Sequence, residues 1–185
     1  MKDGMPDPVT LFERATAQAA GVMANVTLAQ LADPTPCTEW CVQELIDHMV
    51  ASTDYLRAAL DGGEQASRSG ATPADYRAGV EACLSGLVAP GALERTCRSP
   101  LGFEWPLEQA TAGTFMDNLM HTWDLATATG QDRRLDPELV EACIALFLPE
   151  MPERGRQAGI VGPAVAVGPN ATAQDRLLGA MGRQP

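Results

Sequence analysis

The chain has 185 residues, a hydrophobic fraction of 45% and a formal net charge of −11. This length suits one domain with a buried core, and the composition is typical of a globular protein. An acidic surface repels phosphate backbones, and no cluster of Lys and Arg offsets it, which argues against nucleic-acid binding. No apolar run is long enough to span a membrane, and no apolar segment typical of a signal peptide follows the first Lys, so we expect a cytoplasmic protein without a membrane partner.

Capping and proline signals divide the chain into helical segments. Asp7 and Pro8 predict the start of a first helix, because Asp is a good N-cap and Pro suits the first helical position. The prolines of DPTPCTEW (33–40) form a connector before the second helix, and Gly62 ends that helix. The predicted helices span about 9–31, 42–61, 73–88, 107–129 and 136–147.

The remaining segments are rich in Pro and Gly. Residues 90–106 predict a short hairpin or an irregular crossover. The tail predicts an extended apolar stretch followed by a short helix over 172–181. Four long helices joined by one crossover indicate an all-α fold, a four-helix bundle over about 8–148 with a C-terminal helical extension over about 149–185, within a single domain of 1–185.

The two histidines are the first candidates for chemistry, because each lies in the middle of a predicted long helix. His121 follows Asp117 by four residues, so carboxylate and imidazole share one helix face and can bind one ion together. His48 would supply a third ligand from another helix and leave a coordination position open. An Asp-x-x-x-His pattern is also common by chance, and an exposed His beside a solvated Asp is the alternative interpretation.

Helical phase supports these residues unequally. His48 lies at the edge of the apolar face of the second helix, which predicts that it points partly inward. Asp117, His121 and Asp124 lie together on the polar arc of the fourth helix. Amphipathicity alone would let that arc face water.

Several segments also resemble a known family, the actinobacterial DinB-like metal-binding proteins typified by the metal-binding domain of mycothiol-dependent maleylpyruvate isomerase. The resemblance implies a DinB-like four-helix bundle that binds a divalent metal, commonly zinc or nickel, of which we expect zinc. The family's ligands match His48, Asp117 and His121. The segments are PTPCTEWCVQELIDHMV (34–50), SPLGFEWP (99–106), DNLMHTWDLATATGQD (117–132) and DRLLGAMGRQP (175–185).

Two departures from the family pattern concern the site. The isomerase has Glu where this chain has the shorter Asp117, which changes the reach of the carboxylate. The family usually has Asp where this chain has Cys41, a poor N-cap whose thiol, at a helix N-terminus, tends toward a lowered pKa. Cys41 is therefore a candidate redox-sensitive or substrate-contacting thiol. A partly buried, unreactive Cys41 and a soft-metal site of Cys37, Cys41 and His48 are the alternatives.

Two further residues are candidates around the ligands. Asp124 either accepts a hydrogen bond from a ligand His or makes a structural bond to a nearby backbone or indole group. Tyr55 lies beside His48 on the second helix and is a candidate for contact with substrate.

The resemblance implies three functional alternatives. The first is a metal-dependent transferase or isomerase that uses a low-molecular-weight thiol such as mycothiol and a small-molecule electrophile. The second is a non-catalytic metal-binding or regulatory module, and the third is a helical bundle that has lost its metal. We expect a monomer or a homodimer.

Overall fold

The computed structural model describes residues 6–63, 65 and 68–185, and these residues are mostly helical. This confirms the predicted helical class, and for residues 90–106 the chain adopts the hairpin rather than the irregular crossover. The α-helices of the described residues are α1 (Pro8–Ala24), α2 (Val42–Asp61), α3 (Pro73–Leu87), α4 (Leu107–Ala128), α5 (Pro137–Phe147), α6 (Met151–Gln157) and α7 (Ala173–Ala180). A 3₁₀ helix (Leu28–Gln30) follows α1, and β1 (Thr96–Arg98) pairs antiparallel with β2 (Glu104–Pro106).

The predicted end of the first helix is wrong, because α1 ends at Ala24 and not near residue 31. The side-chain amide of Asn25 donates a 2.9 Å hydrogen bond to the carbonyl of Gly21 in the last turn. Thr27 then caps the separate 3₁₀ helix, where its backbone N–H donates to the side-chain oxygen of Gln30 at 2.9 Å. Such local side-chain bonds compete with continuation of a helix.

Helix α6 is an element that the sequence reasoning missed. Its Pro152 looked like a helix breaker, but it lies in the first turn of α6. Pro is tolerated there because the first N–H groups of a helix have no partner inside it.

The chain forms two compact units, and each has its own packing. In the N-terminal unit, Asp7–Arg133, α4 packs against α1 and α2, and α3 packs against α2 and α1. In the C-terminal unit, which contains Arg134–Pro185, α5 packs against α7. A central group of buried side chains in the N-terminal unit consists of Ala19, Met23, Val42, Leu45, Ile46, Met49, Val50, Ala71, Tyr76 and Leu125.

The C-terminal unit confirms the predicted short helix, α7, and the segment before it has no regular secondary structure. This segment crosses α7 closely, since the N–H of Val165 donates to the carbonyl of Gly179 at 2.9 Å. A Cβ at Gly179 would lie 2.7 Å from the carbonyl oxygen of Val165, so only Gly fits at this crossing. No helix in the part of the chain that the structure describes is both long and apolar enough for a bilayer.

A buried polar network links three helices of the N-terminal unit. The hydroxyl of Tyr76 in α3 donates to the side-chain oxygen of Asn118 in α4. The amide nitrogen of Asn118 donates to the Ser52 hydroxyl of α2 at 3.3 Å and to the carbonyl of Thr114 at 2.9 Å. Because Tyr76 and Asn118 are completely buried, this network fixes how α4 lies against α2 and α3.

We expect Tyr76→Phe to lower the free energy of unfolding by about 1–3 kcal/mol, because it leaves a buried oxygen of Asn118 without its donor. Urea denaturation followed by circular dichroism measures this difference. Asn25→Ala is the control, since it removes an exposed amide bond and should change the value by less than about 0.5 kcal/mol. Equal losses in the two variants would contradict a special role for the buried network.

Candidate metal centre

Helices α2 and α4 bring His48, Asp117 and His121 together. The Nε2 atom of His48 lies 3.1 Å and 3.2 Å from the two carboxylate oxygens of Asp117. The Nε2 atom of His121 lies 3.3 Å from the Oδ1 atom of Asp117. One ligand atom from each residue lies within 4.8 Å of the others. The Asp side chain is therefore long enough to reach both imidazoles, although it is shorter than the Glu of the isomerase.

The three side chains differ in exposure. His48 keeps 33% of its side-chain surface and Asp117 keeps 28%, whereas His121 keeps 9%. His48 thus points partly inward, as its position at the edge of the apolar face predicts. The group is therefore partly open to solvent on the side of His48 and Asp117.

The polar arc of α4 does not face water as amphipathicity alone would allow. His121 and Asp124 are both buried. The Nδ1 atom of His121 lies 2.9 Å from the Oδ2 atom of Asp124. When Nδ1–H donates to this carboxylate, the lone pair of Nε2 faces Asp117 and is available to a metal ion. Of the partners considered for Asp124, the geometry favours the imidazole of His121, a candidate ligand.

Cys37 is a residue near the group that sequence reasoning did not single out by itself. Its Sγ atom lies 3.4 Å from Asp124 Oδ2 and 3.9 Å from His121 Nδ1. The sequence reasoning considered Cys37 only together with Cys41 and His48. A signal that could have identified it is its place in the PTPCTEW segment, three residues before Trp40 in the same connector.

Trp40 covers one side of the two imidazoles. The ring centroid of Trp40 lies 4.6 Å from that of His48 and 5.7 Å from that of His121. The indole packs on both candidate ligands and reduces their contact with water on that side.

The structure places Cys41 and Tyr55 differently. Cys41 is the N-cap residue of α2, and its backbone N–H donates to Glu44 Oε2 at 2.8 Å. The Tyr55 hydroxyl accepts from the Trp105 indole at 2.9 Å and donates to the carbonyl of Arg98 at 3.1 Å. Among the described residues, neither side chain makes a hydrogen bond or ring contact with His48, Asp117 or His121. Both remain candidates for contact with a bound molecule.

The β1–β2 hairpin packs on α4 one helical turn before Asp117. A Cβ at Gly113 would lie 3.1 Å from the Trp105 indole, so the indole lies directly on α4 at this position. Because Trp105 also donates to Tyr55 of α2, it links α4 to α2. Burial and the neighbouring Cys97 raise the pKa of Tyr55, so its phenol stays protonated at neutral pH.

The electrostatics of the group favour a carboxylate between cations. Burial raises the pKa of Asp117, but the charges of His48 and His121 and their hydrogen bonds outweigh burial and hold this pKa below its usual value. Burial lowers the pKa of His121, but the charge and hydrogen bond of Asp117, followed by the bond to Asp124, raise it well above its usual value. Without a metal ion, a proton on His121 supplies the positive charge.

Comparison with known proteins adds family information. The family model described as the mycothiol maleylpyruvate isomerase N-terminal domain matches residues 12–126. The uncharacterized proteins MT0763 and Rv0738 of Mycobacterium tuberculosis, from strains CDC 1551 / Oshkosh and ATCC 25618 / H37Rv, are each 35% identical over 182 residues. The alignment covers 96% of this chain and 98% of each relative. No solved structure matches the chain.

We expect the stability of chelator-treated protein to fall as the pH rises above about 6.5, the usual His pKa. From there up to the raised pKa of His121, the folded state holds a proton that the unfolded chain has released, so rising pH favours unfolding. The lowered pKa of Asp117 acts in acid, where its stabilising contribution is lost as the pH falls. Urea midpoints measured at several pH values test both the loss of stability at alkaline pH and the loss at acidic pH.

Asp117→Asn should reduce the loss of stability at alkaline pH, because an uncharged amide does not stabilise protonated His121 as the carboxylate does. Asp61→Asn, a change at the exposed end of α2, should retain it. The same alkaline decline in Asp117→Asn as in the wild type would show that another group causes it.

Proposed function

The chain belongs to the mycothiol maleylpyruvate isomerase N-terminal domain family, and we propose that it binds a divalent metal ion at His48, Asp117 and His121 and acts with a low-molecular-weight thiol. The observation that carries the proposal is the convergence of two imidazole Nε2 atoms on one carboxylate from two helices. We further propose that the N-terminal unit is a DinB-like four-helix bundle and that the protein works in the cytoplasm as a monomer or homodimer.

The donor set fits a zinc ion. Zinc binds His nitrogen and Asp oxygen at about 2.0–2.2 Å, so neighbouring ligand atoms of a tetrahedral site lie about 3.3–3.6 Å apart. The separations of 3.1 Å and 3.3 Å between Asp117 and the two imidazoles are close to this range. Three protein ligands leave a fourth position open, as catalytic zinc sites do. Nickel also accepts imidazole ligands and is the alternative metal.

The metal would supply one piece of chemistry: a divalent cation lowers the pKa of a bound thiol and holds it as thiolate. The residues of the chain prepare the site. Asp124 orients the imidazole of His121, and Trp40 shields the ligands on one side. The partial exposure of His48 and Asp117 gives a small thiol and an electrophile a way in. We propose a transferase or isomerase reaction of this thiol with a small-molecule electrophile.

One observation favours a non-catalytic metal-binding or regulatory module as the second candidate. The carboxylate nearest to the ligands, Asp124, is completely buried and already accepts hydrogen bonds from His121 and Cys37. A group held in this way orients a ligand but is poorly placed to take a proton from a substrate.

We expect His48→Ala and His121→Ala each to abolish stoichiometric zinc binding, because the chain has two His and no other imidazole can replace either. Removal of a residue that only hydrogen-bonds to a metal ligand costs roughly 10–100-fold in metal affinity. Removal of a ligand itself should cost more. Elemental analysis after dialysis against zinc measures the content. Asp61→Asn in α2 is the control and should bind as the wild type does. Equal zinc content in His48→Ala and wild type would contradict the proposed site.

We expect zinc- or nickel-loaded protein to accelerate reaction of mycothiol with members of a panel of small electrophiles, and His48→Ala to return the rate to the uncatalysed value. Consumption of free thiol and mass spectrometry of the products measure the reaction. A wild-type chain that binds zinc but gives no rate above the uncatalysed reaction would exclude the enzyme and leave the non-catalytic module.

A further inference from the structure

A second group of potential metal ligands lies on the other side of the His121 ring. It consists of Cys37, from the connector before α2, together with His121 and Asp124 of α4. The Nε2 atom of His121 faces Asp117, whereas its Nδ1 atom faces Cys37 and Asp124. The two groups therefore use opposite nitrogens of one imidazole.

The separations in this second group suit a tetrahedral ion. Bonds of about 2.0–2.3 Å to nitrogen, oxygen and sulfur place neighbouring ligand atoms about 3.3–3.7 Å apart. The Sγ atom of Cys37 lies 3.9 Å from His121 Nδ1 and 3.4 Å from Asp124 Oδ2. The third side, between Nδ1 and Oδ2, is 2.9 Å and has the length of a hydrogen bond. An ion that replaces the shared proton needs this side to lengthen and the side between Sγ and Nδ1 to shorten, each by a few tenths of an ångström.

The donor chemistry differs from that of the first group. A thiolate ligand selects soft ions, whereas imidazole and carboxylate alone accept harder ones. Thiolate and carboxylate together carry two negative charges, which neutralise a divalent cation in a setting where Asp124 is completely buried. Cys37 is only partly buried and gives the ion its approach.

We propose that Cys37, Asp124 and the Nδ1 atom of His121 form a second site, specific for a thiophilic divalent cation such as Cd²⁺. Binding releases the thiol proton of Cys37 and the Nδ1 proton of His121 to the solvent. Since His121 is shared, an ion in this site weakens the hold of the first group on its own ion. The site does not require His48 or Asp117 and stands if the proposed function fails.

Titration of the full chain with Cd²⁺ alone, followed by the ultraviolet thiolate-to-cadmium charge-transfer absorption, tests the proposal. We expect the band in the wild type, its loss in Cys37→Ser and at least a tenfold weaker titration in Asp124→Asn, because one anionic ligand is removed. Cys41→Ser is the matched control, since Cys41 is in the same segment and is also partly buried. It should keep the band.

His48→Ala separates this proposal from the first one, because it removes a ligand of the first group only and should keep the cadmium band. An undiminished band in Cys37→Ser, or its disappearance in Cys41→Ser or His48→Ala, would overturn the second site. Cadmium NMR of the wild-type chain gives a test that needs no variant to fold. A shift typical of a sulfur-containing donor set is expected, and one typical of nitrogen and oxygen donors alone would also overturn it.

Discussion

The candidate site depends on how one helix lies against its neighbours, and a buried amide sets that arrangement. Asn118 of α4 accepts a hydrogen bond from Tyr76 of α3 and donates one to Ser52 of α2. Because buried polar groups must find partners, rotation of α4 away from this arrangement would leave several of them unpaired. Asp117 is the preceding residue, and His121 follows Asn118 by less than one turn. The same rotation that satisfies Asn118 therefore turns both of these side chains toward the imidazole on α2.

The charges of this face explain why a cation, and not only a hydrogen bond, suits the site. Two carboxylates, Asp117 and Asp124, lie against one imidazole ring, and Asp124 is completely buried. Burying carboxylates is costly unless a positive charge accompanies them. In the metal-free chain a proton on His121 provides it, which is why the pKa of His121 is raised. The proposed metal ion would replace that proton, so metal affinity and protonation would be linked and binding would strengthen as the proton is released.

The sequence predicts well the helix boundaries that nearby side chains determine. The starts of α1 and α3 follow from Asp7 and Thr72, whose side chains cap the first turn. The end of α1 was harder because Asn25 competes for a carbonyl within an otherwise apolar pattern. Amphipathicity predicts which face of a helix is polar enough to be exposed to water. It does not predict that other segments of the chain will cover that face with polar partners. Asp124 on the polar arc is thus buried, and its neighbour Cys37 is 87 residues away in sequence. Contacts at such separation leave no periodic signal. As candidate ligands, Asp117 and His121 depend mainly on the family resemblance, whereas His48 also has the support of helical phase.

The arrangement is more than an ion pair, and the second imidazole is the reason. A buried carboxylate is neutralised by one cationic partner, and His121 with its own support from Asp124 already fulfils this role. His48 adds a second nitrogen, 3.1 Å from the same carboxylate, although it is partly exposed and gains little from an ion pair at the surface. Two protonated imidazoles with ring centroids 4.7 Å apart would also repel each other. The proposed divalent ion would remove this conflict, because neutral imidazoles would donate their lone pairs to the cation while Asp117 would supply negative charge. The geometry of His48 therefore supports the proposed metal ion, which would take one nitrogen from each imidazole and one oxygen from Asp117.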